Sequence, residues 1–336
     1  PSQLAHEDAQ VLDVVAVHDA PDLLEQLPVR DDLAGVRHQH LQQPILLRRE
    51  PHLHAVEPHE APRQVDFEAL FIPDYPTQGH RVTVHHLLNH TSGLPDYQAI
   101  MDQHWDKSKV AGNAENIAYL IKYHPKAYFS PGEKYEYSNT GYMLLASIAE
   151  KASGADFIEL CREWIFRPLG MTQTDIRSRE DKLKLENMAW GQIWVPEKNT
   201  YIHADSFPAF NYSIWLGNRK GPGRMSSTAS DLLRWDQALY QDKLVERETL
   251  SEALSPATLN DGTLSQYGFG WRLNEHPVLG RKIFHTGDNP GYKTIIIRYV
   301  DARKTLILLC NNAHEEFHAV VGRIETEVIS ATGDGR

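Results

Sequence analysis

A phenol, an amide and an imidazole, three groups that hold and pass protons, stand in two short segments of this chain. Tyr137-Ser138-Asn139 sets the phenol two residues from the amide. It lies between the turn residues Pro131-Gly132 and an apolar helical pattern running from Met143 through Leu144, Leu145, Ile148 and Ala149 to a Ser153-Gly154 stop. Side chains on a short irregular segment, fixed by a turn and backed by a helix, suit proton transfer. The same spacing also fits a turn with a buried tyrosine. His285-Thr286-Gly287 ends a predicted strand. A glycine there lets a substrate backbone approach, with His285 as a cation or hydrogen-bond donor beside it.

Other candidate chemistry reads as structural. His86 and His90 have the four-residue spacing of paired zinc ligands, but the zinc-protease pattern needs Glu after the first His and Leu87 is there. His38-Gln39-His40 and His52-Leu53-His54 lack a carboxylate-supported ligand set, so no metal and no cofactor is expected. Cys161 and Cys310 each fall in an apolar pattern and read as two buried thiols.

The elements that must position these groups change period along the chain. Helices are predicted over 85–89, closed by His90-Thr91-Ser92-Gly93-Leu94-Pro95, and over 114–123, 156–166 and 315–329. Thr228 is a predicted cap, with Asp231 three residues on in place of the usual Glu. Residues 188–215 are irregular and aromatic-rich, fitting either a lid over a pocket or an ordinarily packed loop. Strand patterns then cover 267–271, 281–285, 293–299 and 305–310, the last two joined by a hairpin at Asp301-Ala302-Arg303-Lys304. Helices first and hairpin-linked strands last predict an α+β fold.

Residues 1–66 differ from the rest. They contain no aromatic residue other than seven histidines and hold twelve acidic and five basic side chains, so the remaining 270 residues carry about four of the eleven excess negatives. Disorder or weak helix is expected there. The divisions are therefore a leader foreign to the rest at 1–66, a mainly helical part with the aromatic loop at 67–258, and an antiparallel sheet with its closing helix at 259–336. The net charge of -11 argues against nucleic acid as a partner. No apolar run approaches the roughly 18 residues of a membrane span, and no signal peptide is visible behind Pro1, which leaves the compartment open.

The motifs, taken in order, resemble those of the β-lactamase-related serine hydrolases: class C β-lactamases, D-alanyl-D-alanine carboxypeptidases, D-aminopeptidases and family VIII esterases. The matching segments are Phe71-Ile72-Pro73-Asp74-Tyr75, His86-Leu87-Leu88-Asn89-His90-Thr91-Ser92-Gly93-Leu94, Pro131-Gly132 through Tyr142, Pro168-Leu169-Gly170-Met171, Ser227-Thr228-Ala229, Tyr267-Gly268-Phe269-Gly270-Trp271 and His285-Thr286-Gly287. They span about residues 67–325. The resemblance implies a β-lactamase/transpeptidase-like fold, a helical domain packed on an antiparallel sheet flanked by helices, with small-molecule or peptide substrates in the groove between them and chemistry through an acyl-enzyme. By the same resemblance Tyr137 is the general acid/base, and Asn139 holds the substrate amide or the catalytic lysine. His285 stands where β-lactamases have lysine, which favours a peptidase or esterase. Thr286, Gly287 and Asp288 meet the substrate, with the Asp288 N–H as an oxyanion donor.

The family's nucleophile, the serine of Ser-x-x-Lys, would fall near position 40. Arg37-His38-Gln39-His40-Leu41-Gln42-Gln43 has no serine, and nowhere in the chain does lysine follow a serine by three residues. Ser92 and Ser138 belong to other motifs. The expectation is a sheet lacking its N-terminal strands, with an exposed edge, and a polypeptide without acyl-transfer activity as written. The reading is a serine hydrolase of small amide, ester or D-amino-acid peptide bonds whose first 66 residues are a wrong-frame, wrong-strand or rearranged translation; the alternative is a non-catalytic pseudoenzyme that binds peptides or cell-wall fragments.

Overall fold

The architecture, taken from a computed structural model, is described for residues 12–17, 72, 74–241, 243–313 and 316–330. Strand β1 (Leu12–Val17) precedes a helical part of α1 (Val84–Leu88), α2 (Tyr97–His104), α3 (Asn113–Tyr123), α4 (Asn139–Ser153) and α5 (Phe157–Cys161). A π-helical turn at Arg162–Phe166 extends α5. Then come β2 (Asp175–Ile176), α6 (Arg179–Leu183), β3 (Gln192–Val195), β4 (Thr200–His203), α7 (Tyr212–Trp215), β5 (Met225–Ser226), α8 (Ala229–Ala238) and α9 (Arg247–Ala253). The hairpin-linked strands β6 (Arg272–His276), β7 (Gly280–Asn289), β8 (Tyr292–Tyr299) and β9 (Lys304–Cys310) lead to α10 (Phe317–Ser330).

These last strands form one antiparallel sheet in the order β1-β9-β8-β7-β6. Alternation of side chains decides what each face meets. Ile295, Ile297 and Tyr299 of β8, with Leu306 and Leu308 of β9, pack under Phe317 and Val321 of α10. The residues between them face the other way: the Arg298 guanidinium pairs with Asp236 of α8, and the Thr305 hydroxyl donates to the same carboxylate at 3.0 Å. Trp235 of α8 stacks on Trp271, ring centres 5.7 Å apart, beside Ile283 and Leu239. The sheet is thus sandwiched between α10 and the helical part. The helical part has its own core around Leu87, Met101, Leu120, Met143, Leu144 and Trp215.

The α+β architecture and the helices expected over 85–89, 114–123 and 156–166 are present, and α10 covers most of 315–329. Cys161 and Cys310 are both buried and free. Other expectations change. One strand of the leader is on the sheet: Leu12–Val17 runs antiparallel to β9, with Leu12 opposite Cys310 and Val17 opposite Thr305. The expected loss of N-terminal strands is therefore corrected at these residues, where an apolar, β-branched hexapeptide finds a partner edge. The rest of the leader, with the position-40 region, lies outside the described residues. The 267–271 run is a loop, not a strand; Gly270 takes φ +78°, and a Cβ on Gly268 would lie 2.1 Å from the Ala253 carbonyl oxygen. The strand expected over 281–285 runs on to Asn289. Thr228 caps α8 by accepting from the Asp231 N–H, but the Asp231 carboxylate does not complete a capping box; it accepts from the Gln173 N–H and Thr174 and pairs with Arg234.

Candidate active site

Local turns place the Tyr137 segment. Thr83 caps α1, and the capping box is closed by the His86 ring in place of a carboxylate. The turn after α1 is laced to the segment before α4: Tyr128 N–H donates to the Gly93 carbonyl at 2.8 Å, Gly132 to Thr91 at 2.8 Å and Glu136 to His90 at 3.0 Å. Gly93 has φ +69°, and a Cβ there would stand 2.0 Å from the Phe129 carbonyl oxygen. Ser138 caps α4, its Oγ accepting from the Gly141 N–H at 3.2 Å. Asn139 is accordingly the first helical residue and not part of an irregular segment. Tyr137, just before the cap, is 45% exposed, and Asn139 is exposed as well. Both border a cavity of about 220 Å³ that Gly93, Leu94, Asp96 and Tyr128 also line.

Behind Tyr137 lies a hydrogen-bonded chain. The Ser138 N–H donates to His90 Nδ1 at 3.1 Å. His90 Nε2 and Tyr267 Oη are 3.2 Å apart, and Tyr267 Oη and His285 Nε2 are 3.0 Å apart. His90 and Tyr267 are each 1% exposed. The Tyr137 ring lies 4.2 Å from that of His90 and 5.9 Å from that of His285.

Burial governs the charge states. Loss of water pushes His90 down to about 3, with His285 and Arg272 adding to the effect. His285 is also lowered by burial; its bond to the Thr286 backbone opposes the shift and Arg272 adds to it. It therefore meets its neighbours as a neutral imidazole rather than the cation that the sequence left open. Burial raises the Tyr137 phenol, and the positive charge of Arg272 offsets part of the rise. Tyr137 accordingly keeps its proton at neutral pH.

His285, Thr286, Gly287 and Asp288 all lie within β7. Strand β6 pairs only with Gly280 to Phe284, so among the described residues no strand covers the side of β7 away from β8 from His285 onward. Gly287 is inside the strand, not at its end, and a Cβ on it would meet Thr294 Oγ1 at 2.3 Å. The Asp288 carboxylate is exposed and lies 3.3 Å from Lys293 Nζ. None of these four lines the cavity beside Asn139. The aromatic segment contains the β3–β4 hairpin and is tied to the sheet by the Gln192 N–H donating to the Asn311 carbonyl at 2.7 Å.

Ser138 and Ser92 are both engaged, Ser138 as the α4 cap and Ser92 as a 2% exposed turn residue. No group of three or more His, Cys, Asp or Glu among the described residues is placed to hold a metal. Sequence reasoning missed the roles of His90 and Tyr267. Both lie in quoted motifs, but their partners are 18 to 177 residues away and no local spacing announces them.

An antiparallel sheet between a helical part and a closing helix, with Tyr-x-Asn at a helix start opposite His-Thr-Gly on a strand, defines the class of penicillin-binding-protein-like serine hydrolases. The chain belongs to the Beta-lactamase family, whose model matches residues 38–328. It is 42% identical over 246 residues to Penicillin-binding protein 4* of Bacillus subtilis (strain 168), covering 73% of this chain and 54% of that protein. It is 25% identical over 242 residues to the D-aminopeptidase of Brucella anthropi, covering 69% and 42%. The chain thus spans about half the length of these curated relatives. The fold is shared with the D-amino acid amidase of Ochrobactrum anthropi SV3 solved with L-phenylalanine amide, with a TM-score of 0.61, 24% identity and coverage of 81% and 77%. No helix of the described residues is long and apolar enough to cross a membrane.

Proposed function

We propose that the groove between the start of α4 and the open part of β7 binds small amide, ester or D-amino-acid peptide substrates of acyl-transfer chemistry, and that the polypeptide as written binds them without turnover. The observation that carries the reading is Tyr137: an exposed, protonated phenol one residue before a helix cap, facing His285 across 5.9 Å. A phenol in that state donates a hydrogen bond or a proton to a leaving group. Asn139 offers its amide to the substrate amide. Thr286 and Gly287 present the uncovered strand edge to an extended substrate backbone, and the Asp288 N–H is the oxyanion donor. The relatives named D-aminopeptidase and penicillin-binding protein support the substrate class. The missing Ser-x-x-Lys supports the absence of turnover, because no acyl-enzyme forms without a nucleophile.

Calorimetric titration with D-phenylalanine amide, alongside an ammonia assay, tests both halves. Saturable binding without ammonia release is expected, weakened about tenfold by Tyr137→Ala or Asn139→Ala, the worth of one hydrogen bond. Absence of binding overturns the first half, and ammonia release the second.

A further inference from the structure

Two buried side chains, His90 and Tyr267, neither placed in the substrate groove above, join the helical part to the sheet behind Tyr137. A backbone N–H can only donate, so the Ser138 bond at 3.1 Å makes His90 Nδ1 an acceptor. The His90 proton then sits on Nε2 and is donated to Tyr267 Oη, 3.2 Å away. Tyr267 has one proton of its own. Two acceptors face that proton: Tyr142 Oη, hydrogen-bonded to Tyr267 and giving its own proton to the Leu88 carbonyl at 2.8 Å, and His285 Nε2, 3.0 Å from Tyr267 Oη. We infer that Tyr267 is a positioning residue for His285: relayed from the Ser138 amide through His90, its hydroxyl donates to His285 Nε2 and fixes the imidazole as the neutral form bearing its proton on Nδ1.

The direction of the chain is set at the residue next to Tyr137 and ends on the strand opposite. The latch therefore ties the position of the phenol to that of β7. It also has a consequence for specificity: His285, held neutral, supplies no charge for an anionic substrate group, which favours substrates neutral at that point. The charged group in the field of His90, Tyr267 and His285 is Arg272 of β6, and the phenols of Tyr135, Tyr137 and Tyr142 surround the same rings. A positive charge at Arg272 further opposes protonation of either histidine.

The specificity consequence rests on the acyl-transfer reading of the groove; the tautomer does not, so the two fail separately. Nitrogen-15 NMR of the histidine rings in the full chain reads the tautomer directly. In the unmodified protein His285 is expected to show a bare Nε2 and a protonated Nδ1, with a protonation midpoint below the ordinary histidine value. Tyr267→Phe, which keeps the ring, is expected to raise the His285 midpoint by about one pH unit, the worth of one lost hydrogen bond to the neutral form. A protonated Nε2 on His285 in the unmodified protein overturns the inference even if the variant does not fold. An unchanged midpoint in a folded Tyr267→Phe protein overturns it as well.

Discussion

His90 is a polar ring 1% exposed, and burial alone nearly forbids it a charge. In the unfolded chain it protonates near pH 6.5, in the folded chain only near pH 3, and His86 behaves alike with a folded value of about 4. The unfolded state therefore binds more protons between these values, and the stability that is present above about pH 6.5 is lost as pH falls toward 3. At about 1.36 kcal/mol per unit the His90 share approaches roughly 5 kcal/mol. Chemical denaturation at a series of pH values is expected to show this loss, and His90→Gln is expected to flatten it. An acid limb identical in the two proteins would assign the effect elsewhere. The same residue shows how far the sequence could be read. Tyr137, Asn139 and His285 were proposed from motifs a few residues long. His90 read only as a helix-end histidine, because its bond to Tyr267 spans 177 residues and depends on how the sheet docks.

At the scale of elements, the turn after α1 holds the Tyr137 segment through three backbone hydrogen bonds. Gly93→Ala places a methyl group against the Phe129 carbonyl in a left-handed conformation, so the 128–137 segment must shift. A loss of about 2 kcal/mol or more and impaired ligand binding are expected from urea unfolding and calorimetry, since strain and overpacking each cost 1–3 kcal/mol. An alanine variant of unchanged stability would mean that the turn yields freely. Thr228→Ala removes the α8 cap and is expected to cost about 1 kcal/mol in the same unfolding assay. The helices and hairpins were legible because each carries its own signals: a cap, a glycine stop, an alternating run. The 267–271 loop was not, since its aromatic and glycine alternation mimics a strand while Gly268 and Gly270 are there for close packing and a left-handed turn.

The whole molecule is joined at a buried ion pair. Arg298 on the sheet and Asp236 on α8 are each 1% exposed, and Thr305 closes the network. Removing one partner strands the other charge in the interior, so Asp236→Ala is expected to cost about 3–5 kcal/mol in denaturant unfolding, and Asp236→Leu with Arg298→Met to recover much of it. A double-variant loss equal to the sum of the Asp236 and Arg298 single-variant losses would show that the charges are not coupled. At this scale the leader was the least legible part. Its composition hid the hexapeptide Leu12–Val17 that pairs with β9, because a strand on an edge needs a partner the sequence does not display.

We propose that this polypeptide keeps the substrate-binding groove described above without a Ser-x-x-Lys nucleophile. Intact-protein mass spectrometry after incubation with benzylpenicillin and, separately, with a fluorophosphonate tests it most directly. An unmodified mass is expected with both reagents, on a protein that still binds D-phenylalanine amide. A stoichiometric adduct that maps to a serine would contradict it and place a working nucleophile in this chain.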